Sequence, residues 1–138
     1  MLKKIWKFLW YEDSVLSWIV SIILAFLIVK FIVYPGLGLL LGTSYPVVAV
    51  VSGSMHHEGT FEQWWNDRGE WYEKQGFTKE QVREWPFYNG FNRGDIMVLK
   101  GAKNIKIGDV IVFKGNSNNP IIHRTVFAGE NYYQTKGD

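Results

Sequence analysis

The chain has 138 residues, with 15 lysines and arginines against 13 acidic residues, no cysteine, and seven tryptophans among 17% aromatic side chains. That length holds one small domain, and a near-balanced charge without a dense basic stripe argues against a nucleic-acid partner. The lack of cysteine excludes disulfides, thiol catalysis and thiolate metal sites, so any folded domain must be stable by packing alone.

Residues 1–13 carry Lys3, Lys4 and Lys7 and read as a cytoplasmic segment. Residues 14–34, SVLSWIVSIILAFLIVKFIVY, are apolar over a length that matches a hydrocarbon layer of roughly 30 Å. Lys30 lies near one end, where its alkyl stem can carry the ammonium to the interface. Pro35-Gly36 is expected to break the helix. A cleavable signal peptide fits less well, because the run is too long and no small-residue cleavage pattern closely follows it. A buried core helix would need more chain than this to enclose it. With three lysines before the span and no charge between Phe31 and Met55, the positive-inside tendency puts the N-terminus in the cytoplasm and the main domain outside the cell membrane. Trp6, Trp10 and Trp18 are placed as an inner interfacial belt.

Residues 35–138 are expected to form the extracytoplasmic domain. Residues 36–43, rich in Gly and Leu, read as an apolar connector. The periodicity then changes. Residues 46–51, 95–100, 109–113, 121–127 and 132–135 are short β-branched or apolar runs bounded by Gly, Pro, Asn and Asp, which predicts an antiparallel strand set. Between them, at about 56–91, lies a segment dense in Trp, Tyr, Phe, Glu and Lys. Thr60-Phe61-Glu62-Gln63 and Thr78-Lys79-Glu80-Gln81 match the capping-box pattern, so two short helices are predicted, with Pro86 as a stop. Phe61, Trp64, Trp65 and Tyr72 share one face of the first, either as a private aromatic core or against a lipid interface. The predicted fold is therefore mainly β: a single transmembrane helix, then an antiparallel β domain with an aromatic-rich helical insertion.

Ser54 is preceded by Gly53 at the end of an apolar strand, a rigid platform for a nucleophile, although Ser-Gly-Ser also serves simply as a turn. His123 is the one histidine of the C-terminal β region. On a strand it shares a face with Ile121 and Thr125 while Arg124 points the other way. Its ordinary pKa near 6.5 leaves it largely neutral at pH 7 and able to accept a proton, and a structural role is the alternative. His56, His57 and Glu58 lack metal-ligand spacing and read as solvated loop residues, and no metal site is assigned. Asp95 and Asp109 follow glycines at strand entries, where turn chemistry accounts for them.

Taken in order, these residues resemble the type I signal peptidase family. Ser52-Gly53-Ser54-Met55 is similar to its nucleophile box, and Arg93-Gly94-Asp95-Ile96 and Gly108-Asp109-Val110-Ile111-Val112-Phe113 to the two boxes that follow. His123-Arg124-Thr125-Val126 is similar to the box that bears the base, and Lys136-Gly137-Asp138 to the start of the last. A histidine in place of the bacterial lysine points to the archaeal and endoplasmic-reticulum branch. The resemblance implies a membrane-anchored serine endopeptidase that removes signal peptides from exported preproteins, beside the lipid bilayer and the protein-export channel, with no cofactor. It implies Ser54 as nucleophile, His123 as general base, and the Ser52 hydroxyl with the Ser54 backbone N–H as oxyanion donors. Asp138 is the candidate third member. Its place at the end of the chain works against orienting a histidine, and the branch carries a second aspartate further on that is the stronger candidate. The chain departs from the family at His56-His57, where a Pro-containing segment is usual. The rival reading is a non-catalytic, membrane-anchored accessory subunit of a secretion complex.

Overall fold

The computed structural model describes residues 1–116 and 119–138, in two compact units, Met1–Pro46 and Val47–Asp138. The first unit holds helix α1 (Leu2–Tyr11), helix α2 (Val15–Ile28), a π-helical segment (Val29–Val33) and helix α3 (Tyr34–Leu41). The Ser14 hydroxyl caps α2 by accepting from the Ser17 N–H at 3.1 Å. The Ser17 hydroxyl then donates to the Phe8 carbonyl at 2.5 Å, which ties α1 to the start of α2.

From Val15 to Leu41 the chain is one continuous helix of 27 residues, long and apolar enough to cross a membrane, with almost none of its side chains buried. The break expected at Pro35-Gly36 does not occur. In a regular α-helix proline lacks the N–H and its ring collides with the carbonyl four residues back. Here the π turn just before it widens the backbone, and the Tyr34 N–H reaches the Val29 carbonyl, five residues back, so Pro35 is accommodated. The expected connector at 36–43 is accordingly helical up to Leu41. The helix stops at Gly42, whose φ of 64° is the left-handed cap that glycine adopts at little cost.

In the second unit, β1 (Val47–Ala49) pairs antiparallel with β2 (Ile96–Val98), and β3 (Val110–Lys114), β4 (Pro120–Ala128) and β5 (Tyr133–Lys136) form an antiparallel sheet in that order. All five predicted strands are therefore present. The register shifts between Thr125 and Phe127 opposite β5, a bulge that leaves one extra residue on β4. Helices α4 (Phe61–Lys74) and α5 (Lys79–Arg83) fill the predicted insertion. Both start with complete capping boxes, Thr60 with Gln63 and Thr78 with Gln81. The fold is nevertheless not mainly β, since the protein is 41% helix and 19% strand. The strands are only three to nine residues long, while α1 and the extension of the apolar helix to Leu41 add helix where no regular element was expected.

Two apolar clusters organise the second unit. Phe61, Trp64, Trp65 and Tyr72 of α4 are buried together with Val82 of α5, so the aromatic face of α4 makes a private core. Val50, Met55 and Phe91 form the other cluster, with Met97, Val110 and Ile122 packed against it. Removing the cap acceptor leaves orphan N–H groups at a helix start. Thr60→Ala should lower the unfolding free energy of the detergent-solubilised chain by about 1 kcal/mol. A urea midpoint equal to the parent's would show that the α4 cap carries no stability.

Candidate active site

Ser54 lies in a turn closed by the His56 N–H donating to the Gly53 carbonyl at 3.1 Å. Its chain neighbour Met55 is fully buried in the Val50–Phe91 cluster, and Ile122 of β4 packs on the same cluster. The residues beside Ser54 and beside His123, Met55 and Ile122, are thus anchored in one core. The Ser54 Oγ is 3.1 Å from the Ser52 Oγ and donates a long bond of 3.5 Å to the Ile122 carbonyl. Among the described residues the Ser54 backbone N–H has no hydrogen-bond partner. The two donors expected to face an oxyanion therefore belong to one short turn, and one of them is unspent.

His123 is half-buried on β4, opposite Ile111 of β3. Its Nδ1 is 3.3 Å from the Thr135 Oγ1, and its ring meets Phe113 edge-on at 6.2 Å. In the tautomer in which Nδ1 donates to Thr135, Nε2 carries the lone pair that a general base needs. Burial pushes the imidazole pKa down from 6.5, with the Lys136 charge adding to the effect and the Asp138 charge opposing it. The neutral form is favoured. Among the described residues Ser54 and His123 share no hydrogen bond, and contacts of this kind are commonly loose until substrate closes the site.

Asp138 does not orient His123. Its side chain is completely buried and makes an ion pair with Arg124. The Arg124 Nε donates to Oδ1 at 2.8 Å and Nη2 to Oδ2 at 2.7 Å, a two-pronged contact. The Tyr72 hydroxyl donates to Oδ1 at 3.2 Å, and His57 Nε2 is 3.0 Å from Oδ2. With four polar contacts the carboxylate acts on His123 only through its charge. Burial raises its pKa, but hydrogen bonds from Arg124 and His57 outweigh this and hold it below the ordinary 3.8. Far from being a loose end, Asp138 is held by β4, α4 and the segment after Ser54. Beside it, the Lys136 ammonium sits over the rings of Trp71 and Tyr72 at 5.0 and 4.8 Å, and burial lowers its pKa.

The reading of His57 as a solvated loop residue is also corrected. Its side chain is 2% exposed and lies flat on Trp64, with ring centroids 4.0 Å apart. Adjacent residues of an extended segment face opposite ways; His56 took the solvent side and His57 the interior. Arg124 was missed as well. A charged residue directly after a strand histidine, pointing to the opposite face, was a usable signal, because a buried arginine requires a carboxylate partner. Asp95 and Asp109 behave as expected: each accepts from a backbone N–H three residues earlier, Asn92 and Lys106, at 2.8 Å. A cleft of about 230 Å³ lined by Gly53, His56, Trp64, Arg68 and Asp138 opens beside the Ser54 turn.

No family model, curated protein or solved structure matches this chain. The candidate roles rest on residue chemistry, motif order and this geometry.

Because the folded Asp138 carboxyl is depressed, its stabilising contribution is complete above its ordinary pKa and is lost as pH falls through the lower, folded value. Acid titration of unfolding should therefore show stability falling steeply below about pH 4 in the parent. The acid limb should be flatter in Asp138→Asn, which loses stability already at neutral pH. Superimposable acid limbs would show that this carboxylate does not set the acid response.

Proposed function

We propose that this chain is a membrane-anchored serine endopeptidase of the type I signal peptidase kind, in the Ser/His branch, that removes signal peptides from exported preproteins. The observation that carries the reading is the convergence of the Ser52-Gly53-Ser54-Met55 turn and the His123 strand on one apolar cluster, with the Ser54 Oγ reaching the backbone of the residue next to His123. In this reading the helix Val15–Leu41 spans the cell membrane with the N-terminus in the cytoplasm. The short chain from Leu41 to Ser54 tethers the nucleophile near the outer edge of apolar substrate segments, which raises their effective concentration.

His123 Nε2 takes the Ser54 hydroxyl proton as Oγ attacks the scissile carbonyl carbon. The Ser52 hydroxyl and the Ser54 N–H stabilise the oxyanion that develops on the carbonyl oxygen. The imidazolium then gives its proton to the leaving amine, and an ester to Ser54 remains. A water, deprotonated by the same imidazole, attacks that ester; the Ser54 Oγ leaves and takes the proton back from the imidazolium, and the signal peptide departs as its carboxylic acid, which ionises. The Asp138 charge favours the imidazolium that forms at each step, although it makes no contact with the ring.

The rival, a non-catalytic accessory subunit, is favoured by the Ser54 hydroxyl donating to the Ile122 carbonyl and sharing no hydrogen bond with the imidazole among the described residues. The two readings part in one assay, cleavage of a preprotein by the purified full chain in lipid. Ser54→Ala and His123→Ala should each lower the rate at least about a thousandfold. Undiminished cleavage in both would discard the pair, and no cleavage by the parent would select the accessory role.

The base must be neutral to act, so cleavage should rise with pH through the His123 pKa. The midpoint should lie below 6.5, the ordinary value that burial lowers. A rate limb centred at or above that value would exclude the buried imidazole as the base.

A further inference from the structure

We propose that His57 is a positioning residue through which the aromatic insertion holds the Ser54 turn in place. Asp138 is ionised and accepts only, so the His57 Nε2 that faces it carries a hydrogen and donates. Two close neighbours confine the ring. Trp64 of α4 covers one face, and Gly90 approaches so closely that a Cβ there would fall 2.7 Å from the His57 Cδ2. Trp64 is itself fixed among Phe61, Trp65 and Tyr72. The imidazole is therefore a rigid strut between α4 and the Asp138 carboxylate, and the Tyr72 hydroxyl supplies a second tie from the same helix.

What the strut holds is the nucleophile turn. Gly137 lies against Ser54 so tightly that a Cβ on it would sit 2.5 Å from the Ser54 carbonyl oxygen and 3.2 Å from its Cβ. The segment 54–57 and the pair Gly137-Asp138 are thus fastened at two points, Ser54 on Gly137 and His57 on Asp138. Without the second fastening the turn keeps Met55 in its apolar cluster but is held less firmly against Gly137. The neighbouring Ser54 N–H and Ser52 hydroxyl, which need a fixed aim to stabilise an oxyanion, then lose it. This catalytic consequence rests on Ser54 being the nucleophile; the ordering of the turn does not.

The test uses the full chain in detergent with three variants. His57→Phe keeps a ring on Trp64 but has no donor, His57→Gln restores a donor toward Asp138, and Trp64→Phe weakens the stack from the helix side. Amide hydrogen exchange over 52–57 should quicken in His57→Phe and Trp64→Phe and return toward the parent in His57→Gln, while exchange in β3 and β4 stays unchanged. In preprotein cleavage, His57→Phe should lower kcat by about tenfold to a hundredfold, with KM changed by no more than about twofold. Exchange over 52–57 equal to the parent's in His57→Phe, or a uniform rise across the domain, would overturn the inference. So would failure of His57→Gln to improve on His57→Phe. Should His57→Phe not fold, unchanged exchange over 52–57 in Trp64→Phe overturns it. A parent that does not cleave defeats the proposed peptidase, and the exchange comparison still decides the role of His57.

Discussion

Everything in the second unit that bears on chemistry hangs on the Arg124 guanidinium. All five of its N–H donors are used: Nε and Nη2 on the two Asp138 oxygens, Nη1 on the Pro86 and Gly108 carbonyls at 2.8 and 2.9 Å, and Nη2 again on the Phe87 carbonyl at 2.9 Å. With a residue exposure of 1%, the group has exchanged its entire hydration for protein oxygens. Such a site is stable only while complete, because a buried charge that loses its partner costs about 3–5 kcal/mol. The guanidinium therefore demands that the end of the insertion, the entry to β3 and the residues after β5 all come together at once. It also accounts for an awkward backbone. Phe87 has a φ of 54°, a left-handed conformation that strains a bulky residue, and it presents its carbonyl to Nη2.

From that hub the geometry of the candidate site follows in two steps. Alternation along β4 puts Arg124 on the inward face and His123 beside it on the other, so the same strand carries the structural cation and the proposed base. Asp138, captured by Arg124, sets Gly137 against Ser54, and the apolar partners Met55 and Ile122 keep the serine turn and β4 in register. The two histidines of this region sit in the field of one carboxylate yet differ in kind. His57 touches it and is stacked on Trp64 close to Gly90, whereas His123 feels it at a distance, keeps Thr135 as its contact, and is biased by burial toward the neutral form. One is bonded directly to the carboxylate and the other to the Thr135 hydroxyl.

Much of this was legible in the residues. The five strands, the two capping boxes and the single face shared by Phe61, Trp64, Trp65 and Tyr72 all follow from local pattern, because each depends on neighbours within a few positions. The errors came where distant residues or backbone adjustments decide. Pro35 signals a break only if the helix ahead of it is regular, and the π turn at Val29–Val33 removes that condition. His57 looked like a loop residue because nothing in its own segment reveals that Trp64, on the following helix, will cover it. Asp138 lies on a segment whose sequence gives no hint of order. Its burial is a property of Arg124, fourteen positions earlier, and of Tyr72, which no local period connects to it.

The cost of the buried network bears on what the domain is for. An arginine and an aspartate withdrawn from water gain little or nothing in stability over apolar side chains of the same volume, since desolvation offsets their attraction. A core already rich in tryptophan and phenylalanine could have closed the same space without charge. What apolar packing would not supply is direction. The paired bonds of a guanidinium and a carboxylate fix angle as well as distance, and Tyr72 and His57 fix the remaining lone pairs of Asp138. The element so oriented is Gly137, the residue in contact with Ser54. In the proposed peptidase that orientation serves a serine whose neighbouring N–H aims at a developing oxyanion.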